Sequence, residues 1–399
     1  MRTARREGKP LRPPSTQLTI DDYWELWWAS EVTVAKSRAT QHSYKGVYVS
    51  NIRPRIGRVK LRWLIDDPQL LVKWRLRLAR DKSQSVLEHS HRVLSSMLSA
   101  AAEEGVIPYN PLMLLSLGRG RGRKRTLTRP QPRHTPMAVD PAAWFVVVEY
   151  LRRPTRPPVN EGKSRTCRDP LARELHALIV ALGFMAGFRL PSEALGLTCG
   201  DVRAGRLYME GRSSEGQYTP GSKTGPPRDL PIQDELAAEF KRVKRAYADA
   251  GLPLGQQDFW ISAQRKDVVL TKHQASNWRE RDFRPVARQV AVDFPQFAEL
   301  RTATPYSARH TFISCCLQAG ISLAVIAAWC GTSIQMISET YGRMIRRYEG
   351  ASQIPLAEQY SKSRVQALSL LSSRLVGRDG SSAGPRVQKL SAPTRRRRE

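Results

Sequence analysis

The sequence predicts a mainly α-helical protein with a small antiparallel sheet, divided into two domains. Apolar residues recur at the i, i+3, i+4 spacing of amphipathic helices along most of the chain. Short runs with strand character are confined to residues 206–230. Residues 117–136 are rich in Gly, Arg and Pro with almost no apolar content, which is typical of a linker between domains.

The composition points to a polyanionic partner. A formal net charge of +29 creates a wide positive field, which suits a long polyanion and makes binding depend steeply on salt. A ribosomal protein or a protein bound to an anionic membrane would show the same excess, so charge alone does not choose among them. The hydrophobic content of 41% excludes a disordered polycation, because it is enough for a real core.

Cysteine spacing and hydropathy predict a reduced, cytoplasmic protein associated with the chromosome. The five cysteines show no C-x-x-C spacing, which disfavours a disulfide framework or a zinc cluster. No apolar run is long enough to cross a bilayer, and no apolar core follows the basic N-terminus as in a signal peptide. The sequence therefore predicts no bound metal and no membrane partner. The cysteines are Cys167, Cys199, Cys315, Cys316 and Cys330.

The N-terminal part reads as a basic flexible arm, residues 1–14, followed by a helical domain, residues 15–116. Thr19 is placed to cap the first helix, and a second helix is expected to be interrupted before Pro54. A third begins at about Ser83 and carries a long apolar stripe.

The linker, residues 117–136, precedes a second domain predicted over 137–350. A C-terminal helical segment is expected over 351–375 and a disordered basic tail over 376–399. Within the second domain we expect helices at 142–151, 171–187 and 234–250. We also expect a strand at 206–210, then a pair of strands flanking the turn 222–225 with 228–230 on its far side, and an extended segment at 259–262.

Four residues of the second domain suit chemistry on a phosphodiester. Arg189 and Arg309 can each match two phosphate oxygens with a planar guanidinium that stays charged. A tyrosine beside two such arginines, here Tyr341, can become a nucleophile because the positive field stabilises its phenolate. Lys223, in a glycine-flanked turn, adds a cation. The combination suggests DNA cleavage through a covalent phosphotyrosine.

Three strings around these residues resemble the signature boxes of the tyrosine recombinases, also called phage-type integrases. They are GFMAGFRLPSEALGL at 183–197, TPYSARHTFIS at 304–314 and WCGTSIQMISETYG at 329–342. The resemblance covers roughly residues 15–350. It implies a two-domain DNA clamp, in which a helical, SAM-like core-binding domain and a catalytic domain hold opposite faces of the duplex.

The resemblance also implies roles for individual residues. Arg189 and Arg309 would hold the scissile phosphate, and Tyr341 would attack it to leave a 3′-phosphotyrosyl enzyme. Lys223 would protonate the leaving 5′-oxygen, because an alkoxide is a poor leaving group. Glu193 would buttress the site. The energy of the phosphodiester is kept in the protein–DNA bond, so neither ATP nor a metal cofactor is required.

Two positions depart from the pattern of that family. Tyr306 replaces the usual histidine of His-x-x-Arg, and Thr332 replaces the usual His or Trp nine residues before the nucleophile. We expect both to donate hydrogen bonds to the phosphate, because a phenol with a pKa near 10 is a poor base. His310, about 100° around the helix from Arg309, is expected to pack structurally.

The nucleophile itself is expected at the exposed end of a short helix, with Ile334 and Ile337 turned inward. Tyr348 is the rival nucleophile, although its surroundings match no signature box. A tyrosine that merely closes a hydrophobic core is the structural alternative for Tyr341.

The linker is expected to cross the DNA backbone between the two domains, although a flexible tether would explain the same composition. The C-terminal segment would pack either in cis or on a neighbouring copy. The candidate DNA-binding residues of the linker are Arg119, Arg121, Arg123, Lys124 and Arg125.

The leading hypothesis is a site-specific recombinase that integrates or excises a phage or other mobile element. Its implied partners are double-stranded attachment sites and three further copies in a homo-tetramer, with a directionality factor or DNA-bending protein as further candidates. Three alternatives stay open: a Xer-type resolvase of chromosome dimers, a type IB topoisomerase, and a catalytically impaired regulator descended from a recombinase.

Overall fold

The structure is a computed structural model that describes residues 17–117, 138–158, 165–214, 216–221, 227–262 and 270–379. The chain divides into two compact units, Met1–Pro132 and Arg133–Glu399. The expected mainly α-helical class with small antiparallel sheets is confirmed. Among the described residues, no helix is both long and apolar enough to cross a bilayer.

Several sequence-based predictions fall outside the described residues. These are the N-terminal arm, the turn that contains Lys223, and the basic part of the linker with its five candidate DNA-binding residues.

The first unit is helical over its described part. Thr19 caps its first helix through a capping box with Asp22, as predicted, and the expected helix after Ser83 is also confirmed. The helices are α1 Ile20–Trp27, α2 Thr33–Ala35, α3 Arg38–Val47, α4 Arg53–Ile56, α5 Leu61–Asp66, α6 Gln69–Asp81, α7 Gln84–Glu103 and α8 Pro111–Leu117.

Stacked aromatic rings hold the first unit together. The rings of Trp24 and Tyr48 lie parallel with centroids 3.8 Å apart, and Trp27 is buried beside them. The indole of Trp74 donates to the Asn51 carbonyl at 3.1 Å, so this large side chain is buried with its polar atom paired.

The predicted interruption before Pro54 does not occur. A π-helical turn, Tyr48–Ile52, leads directly from α3 into α4, and Pro54 lies in the first turn of α4. The Ser50 carbonyl lies four residues before the proline, which has no N–H to offer it. Arg55 Nη1 donates to that carbonyl at 3.2 Å instead, so the chain stays helical.

The second unit is built on two long apolar helices, α9 and α10, whose side chains are mostly buried. Thr311 of α14 joins that helix to α9, because its hydroxyl accepts from the Trp144 indole at 2.8 Å and donates to the Val139 carbonyl at 2.8 Å. The helices are α9 Pro141–Arg152, α10 Pro170–Ala186, α11 Asp234–Asp249, α12 Lys272–Asn277, α13 Arg284–Asp293, α14 Pro305–Gln318, α15 Leu323–Cys330, α16 Ile334–Tyr348 and α17 Leu356–Asp379.

In the part of the chain that the structure describes, seven short strands form three small antiparallel sheets. Strands β1 and β2 pair, β5 and β6 pair, and the third sheet has the order β3-β4-β7. The strands are β1 Thr155–Arg156, β2 Arg165–Thr166, β3 Val202–Arg203, β4 Arg206–Met209, β5 Gly211–Ser214, β6 Gln217–Pro220 and β7 Arg228–Pro231.

The strands on either side of the turn at 222–225 are not partners within the described residues. The sequence predicts a pair flanking that turn, yet β6 pairs with β5, and β7 pairs with β4 through Leu207 and Leu230. The buried leucines explain the difference, because they place β7 against the core next to β4. The extended segment predicted at 259–262 is present as an isolated bridge between Phe259 and Thr198.

The C-terminal helix α17 packs in cis, and it continues through residues 376–379, where the sequence predicts disorder. Tyr360 is fully buried, and its hydroxyl donates to the Phe184 carbonyl at 2.7 Å. The side-chain amide of Gln359 donates to the Cys315 carbonyl at 3.0 Å. These contacts attach α17 to the C-terminal end of α10 and to α14.

The hydrogen bond of Tyr360 predicts a stability effect. The Phe184 carbonyl lies in the last turn of α10, where a carbonyl has no N–H partner within the helix. Tyr360→Phe should therefore lower the free energy of unfolding of the second unit by about 1–2 kcal/mol, measured by urea denaturation of the full chain. Tyr218→Phe, at a partly exposed ring of the same unit, is the matched control, with an expected change below about 0.5 kcal/mol. Equal effects of the two variants would contradict the assignment.

Candidate active site

Helix α10 ends so that Arg189 is presented from a sharp turn. Gly187 ends the helix with φ +69, in the left-handed region that favours glycine. A Cβ at this position would lie 2.5 Å from Cδ1 of Phe312, so only glycine allows α14 to pack this closely. Arg189 follows two residues later, with its backbone N–H donating to the Glu193 carboxylate at 2.6 Å.

The Glu193 carboxylate is buried among three guanidinium groups. Arg189 Nη1 donates to Glu193 Oε1 at 2.8 Å, and Arg228 Nη2 donates to Oε2 at 2.7 Å. Arg309 Nη1 lies 4.0 Å from Oε2. The carboxylate therefore fixes the relative positions of two candidate phosphate-binding arginines, together with a third arginine that the sequence analysis did not assign to the site.

The protonation state of Glu193 follows from this cluster. Burial alone would raise the pKa of the carboxyl, but Arg228 and Arg189 outweigh it, and the pKa of Glu193 is lowered overall. The ionised form is consequently the stable one at neutral pH. Its contribution to stability is present above the unfolded-state pKa near 4.3 and is lost as the pH falls through the lowered folded-state value.

Arg309 is almost completely buried, at 1% exposure. Its Nη1 donates to the Gly187 carbonyl at 2.6 Å, and its Nη2 donates to the Cys330 carbonyl at 2.7 Å. Arg309 thus joins the end of α10 to the end of α15.

Arg228 is the residue that the sequence reasoning missed. Alternate residues of β7 are buried, so Arg228 and Leu230 both point inward. The sequence did contain a signal for this: Arg228 lies two residues before the apolar Leu230, and side chains two apart on a strand share a face.

The segment between α15 and α16 lies against the arginines. Arg189 Nη2 donates to the Gly331 carbonyl at 2.5 Å, next to the carbonyl that Arg309 holds. Gly331 has φ +58, and a Cβ there would overlap Nη1 of Arg228. The same short segment leads into the helix that contains Tyr341, so the arginines also position the start of α16.

Tyr341 lies in the middle of α16 and is 4% exposed. The prediction of an exposed end of a short helix is wrong, since α16 continues to Tyr348 and the tyrosine faces the core. Of the two isoleucines expected to point inward, Ile337 is buried and Ile334 is half exposed. Gly342 was a misleading signal because the helix runs through it.

The environment of the Tyr341 hydroxyl favours the neutral phenol. Burial raises the pKa of Tyr341 well above its usual value, and the Cys330 thiol adds to the rise. Arg309 opposes both, because its positive charge favours the phenolate and lowers the pKa of Tyr341.

His310 makes direct contact with the candidate nucleophile. Its Nδ1 forms a short hydrogen bond with the Tyr341 hydroxyl, a contact that the sequence analysis did not predict. The 100° rotation per residue explains the contact: Arg309 points towards the end of α10, whereas His310, one residue later, faces α16. Burial, with help from the charge of Arg309, lowers the pKa of His310 to about 4.

Tyr306 and Thr332 border the buried cluster. Tyr306 lies one turn before His310 on α14, is 47% exposed, and presents its ring edge-on to the imidazole with centroids 5.0 Å apart. Thr332 is half-buried and directly follows the arginine-bound segment. Tyr348, the rival nucleophile, lies two turns further along α16 and packs partly against the core.

Comparison with known structures decides the fold family. The chain matches the Tn1549 transposon integrase bound to transposon right-end DNA with a TM-score of 0.56 and 14% identity, covering 88% of this chain and 100% of that one. It matches a lambda integrase dimer bound to a COC′ core site with a TM-score of 0.53 and 13% identity, covering 88% of this chain and 82% of that one. The chain has the tyrosine-recombinase fold.

At identities of 13–14% these likenesses concern the fold alone. No model of a known protein family matches the sequence, and no curated protein matches it either. Within the recombinase fold, the structure brings Arg189, Arg309 and Tyr341 together with Glu193, Arg228 and His310.

The crowding at Gly331 predicts a stability effect. Gly331→Ala combines left-handed strain with a clash against the buried Arg228 guanidinium, so it should cost about 2–3 kcal/mol of the free energy of unfolding. Gly350→Ala is the matched control, because Gly350 has φ +72 but open space around its Cα, and should cost about 1 kcal/mol. Equal losses in urea denaturation would show that the Arg228 contact contributes nothing.

Proposed function

We propose that the protein is a site-specific DNA recombinase that cuts and rejoins DNA through a 3′-phosphotyrosyl intermediate. The observation behind this proposal is the grouping of a tyrosine hydroxyl with buried guanidinium groups on the tyrosine-recombinase fold. Arg309 is close enough to Tyr341 to lower the pKa of its phenol, and Arg189 shares the carboxylate of Glu193 with Arg309.

The cluster supplies the charge that phosphoryl transfer needs. Arg189 and Arg309 would grip the non-bridging oxygens of the scissile phosphate, because guanidinium donors match such oxygens in pairs. They would also stabilise the charge that develops on those oxygens in the transition state. Tyr306 and Thr332, at the border of the cluster, would add hydroxyl donors.

When the phosphate binds, its oxygens would replace backbone carbonyls as the hydrogen-bond acceptors of Arg189 and Arg309. Arg189 Nη2 and Arg309 Nη2 now donate to the carbonyls of Gly331 and Cys330. A phosphate oxygen carries more negative charge than a peptide carbonyl, so it makes the stronger hydrogen bond with a guanidinium. DNA would therefore take over these donors, and the segment 330–332 would move as the phosphate enters.

The reaction balances without an added cofactor. The oxygen of Tyr341 forms a bond to phosphorus as the bond to the 5′-oxygen breaks, and a proton must reach that leaving oxygen. We assign that proton to Lys223, on the resemblance alone, because its turn lies outside the described residues. A 5′-hydroxyl of a second duplex would then reverse the step, so neither ATP nor metal is consumed.

The substrate would be double-stranded attachment sites at the ends of a phage or other mobile element. The two structural matches reported above are integrases in complex with DNA, one from a transposon and one from lambda. A net charge of +29 supports a long polyanion as the partner. The linker residues 119–125 would contact backbone phosphates, and a homo-tetramer would assemble on two paired sites.

One observation supports a second candidate, a catalytically impaired DNA-binding regulator with the recombinase fold. Tyr341 and Arg309 are both buried, and two signature positions differ from the common pattern. Only the recombinase would form a covalent protein–DNA adduct, so this product distinguishes the two functions.

The proposed nucleophile predicts the outcome of a cleavage assay. Nicked suicide duplexes spanning the ends of the DNA element that encodes the protein should yield an adduct that survives denaturant. Tyr341→Phe should abolish the adduct while retaining DNA binding, because the phenyl ring preserves packing but has no oxygen to attack phosphorus. The measurement is gel electrophoresis under denaturing conditions, with binding followed separately.

Tyr348→Phe is the control on the same helix and should form the adduct as the wild type does. An adduct that persists in Tyr341→Phe would move the nucleophile elsewhere. Binding by the wild type with no adduct under any condition would favour the regulator.

A further inference from the structure

The proton of the Tyr341 hydroxyl needs an acceptor when the hydroxyl attacks phosphorus. Burial keeps this phenol neutral, and a neutral phenol is a weak nucleophile towards phosphorus. The proton must leave as the oxygen–phosphorus bond forms, and the acceptor must lie within hydrogen-bond reach of the hydroxyl.

His310 has the required position. Its Nδ1 is hydrogen-bonded to the Tyr341 hydroxyl, and α14 holds the ring there because Arg309, the preceding residue, is anchored to the Gly187 and Cys330 carbonyls. The backbone carbonyl of His310 also accepts from Ser314 at 2.9 Å. Because His310 directly follows Arg309 on α14, this proton acceptor would stay close to a phosphate bound by Arg309.

His310 also has the required protonation state. With a pKa of about 4 in the free protein, the imidazole is neutral at neutral pH, so one ring nitrogen carries a lone pair. The titratable and charged groups facing it are Arg309 and Tyr306 from α14 and Tyr341 from α16. A bound phosphodiester adds negative charge beside this set, which favours the imidazolium and raises the proton affinity of the ring.

Tyr306 occupies the position of the usual histidine and is therefore the competing proton acceptor, but its ring is less suitably placed. Its ring meets the edge of His310, and about half of the residue is exposed to solvent. A neutral phenol is a much weaker proton acceptor than a neutral imidazole, so it is poorly suited to take a proton from a second phenol.

We propose that His310 acts as the general base for Tyr341, an inference that rests on the proposed recombinase function. The Oη–H bond of Tyr341 breaks as Oη bonds to phosphorus, and the proton moves to Nδ1 of His310. The electron pair of the broken phosphorus–oxygen bond stays on the 5′-oxygen, which takes a proton from Lys223. In the rejoining step the 5′-hydroxyl attacks phosphorus and returns that proton to Lys223, while the imidazolium returns its proton to the departing tyrosine oxygen.

The test compares adduct formation by the wild type, His310→Ala and His310→Gln on the nicked suicide duplex. Both variants should form the adduct about 10²-fold more slowly or worse, as expected for loss of a general base. Free imidazole should partly restore the rate of His310→Ala and leave Tyr341→Phe inactive. His310→Gln keeps a polar side chain of similar size, so it tests the base if His310→Ala fails to fold.

The pH dependence separates a base from a purely structural residue. The wild-type rate should fall on the acidic side, as His310 becomes protonated in the DNA complex and can no longer accept a proton. His310→Gln should lack this acidic limb. A structural role would lower the rate at every pH and leave the shape of the profile unchanged.

A duplex with sulfur in place of the bridging 5′-oxygen separates the base from the acid. A thiolate leaves without protonation, so Lys223→Ala should regain activity on this duplex, whereas the His310 variants should stay slow. His310 variants that cut at the wild-type rate would overturn the proposal. Faster cutting would also overturn it, by showing that His310 restrains the tyrosine.

The control Tyr348→Phe keeps the two proposals distinguishable. If neither it nor the wild type forms an adduct, the recombinase function fails. If both form the adduct and the His310 variants match them, only the role of His310 fails.

Discussion

The ion cluster around Glu193 is the interaction on which the site depends. One carboxylate, 2% exposed, is shared by Arg189, Arg228 and Arg309, which leaves an excess of two positive charges in a nearly dry pocket. Without the carboxylate three cations would face each other with little solvent to screen them, which is far more costly than a paired arrangement. With it, the remaining charge would suit the phosphodiester of the proposed reaction and the additional charge that would build up during its cleavage.

The cluster also explains why several parts of the chain must fold together. Its members come from the turn after α10, from β7 and from α14, and their donors hold the carbonyls of Gly187, Cys330 and Gly331. The cysteines near it are buried and free of disulfides, as the spacing predicts. Burial raises the pKa of Cys330, so this thiol stays neutral beside the arginines.

Much of the fold and part of the site could be predicted from the sequence. Helix caps such as Thr19 and the apolar stripes are local signals, and they located long helices such as α7, α9, α10 and α11. The pairing of β7 with β4 and the inward direction of Arg228 depend on contacts between distant segments, which no local pattern encodes. The contact of His310 with Tyr341 was missed for the same reason, since it requires the packing of α14 against α16.

The docking of α17 has a consequence for how assembly of several copies could affect the candidate active site. Tyr360 holds the carbonyl of Phe184, three residues before Gly187, where the turn that presents Arg189 begins. Gln359 holds the carbonyl of Cys315 in the last turn of α14, the helix that contains Arg309. A neighbouring copy that captured α17 would remove both supports at once. Exchange of this helix between subunits would thereby loosen the two arginines that we propose to bind the phosphate, and oligomeric assembly would be coupled to the proposed activity through two hydrogen bonds.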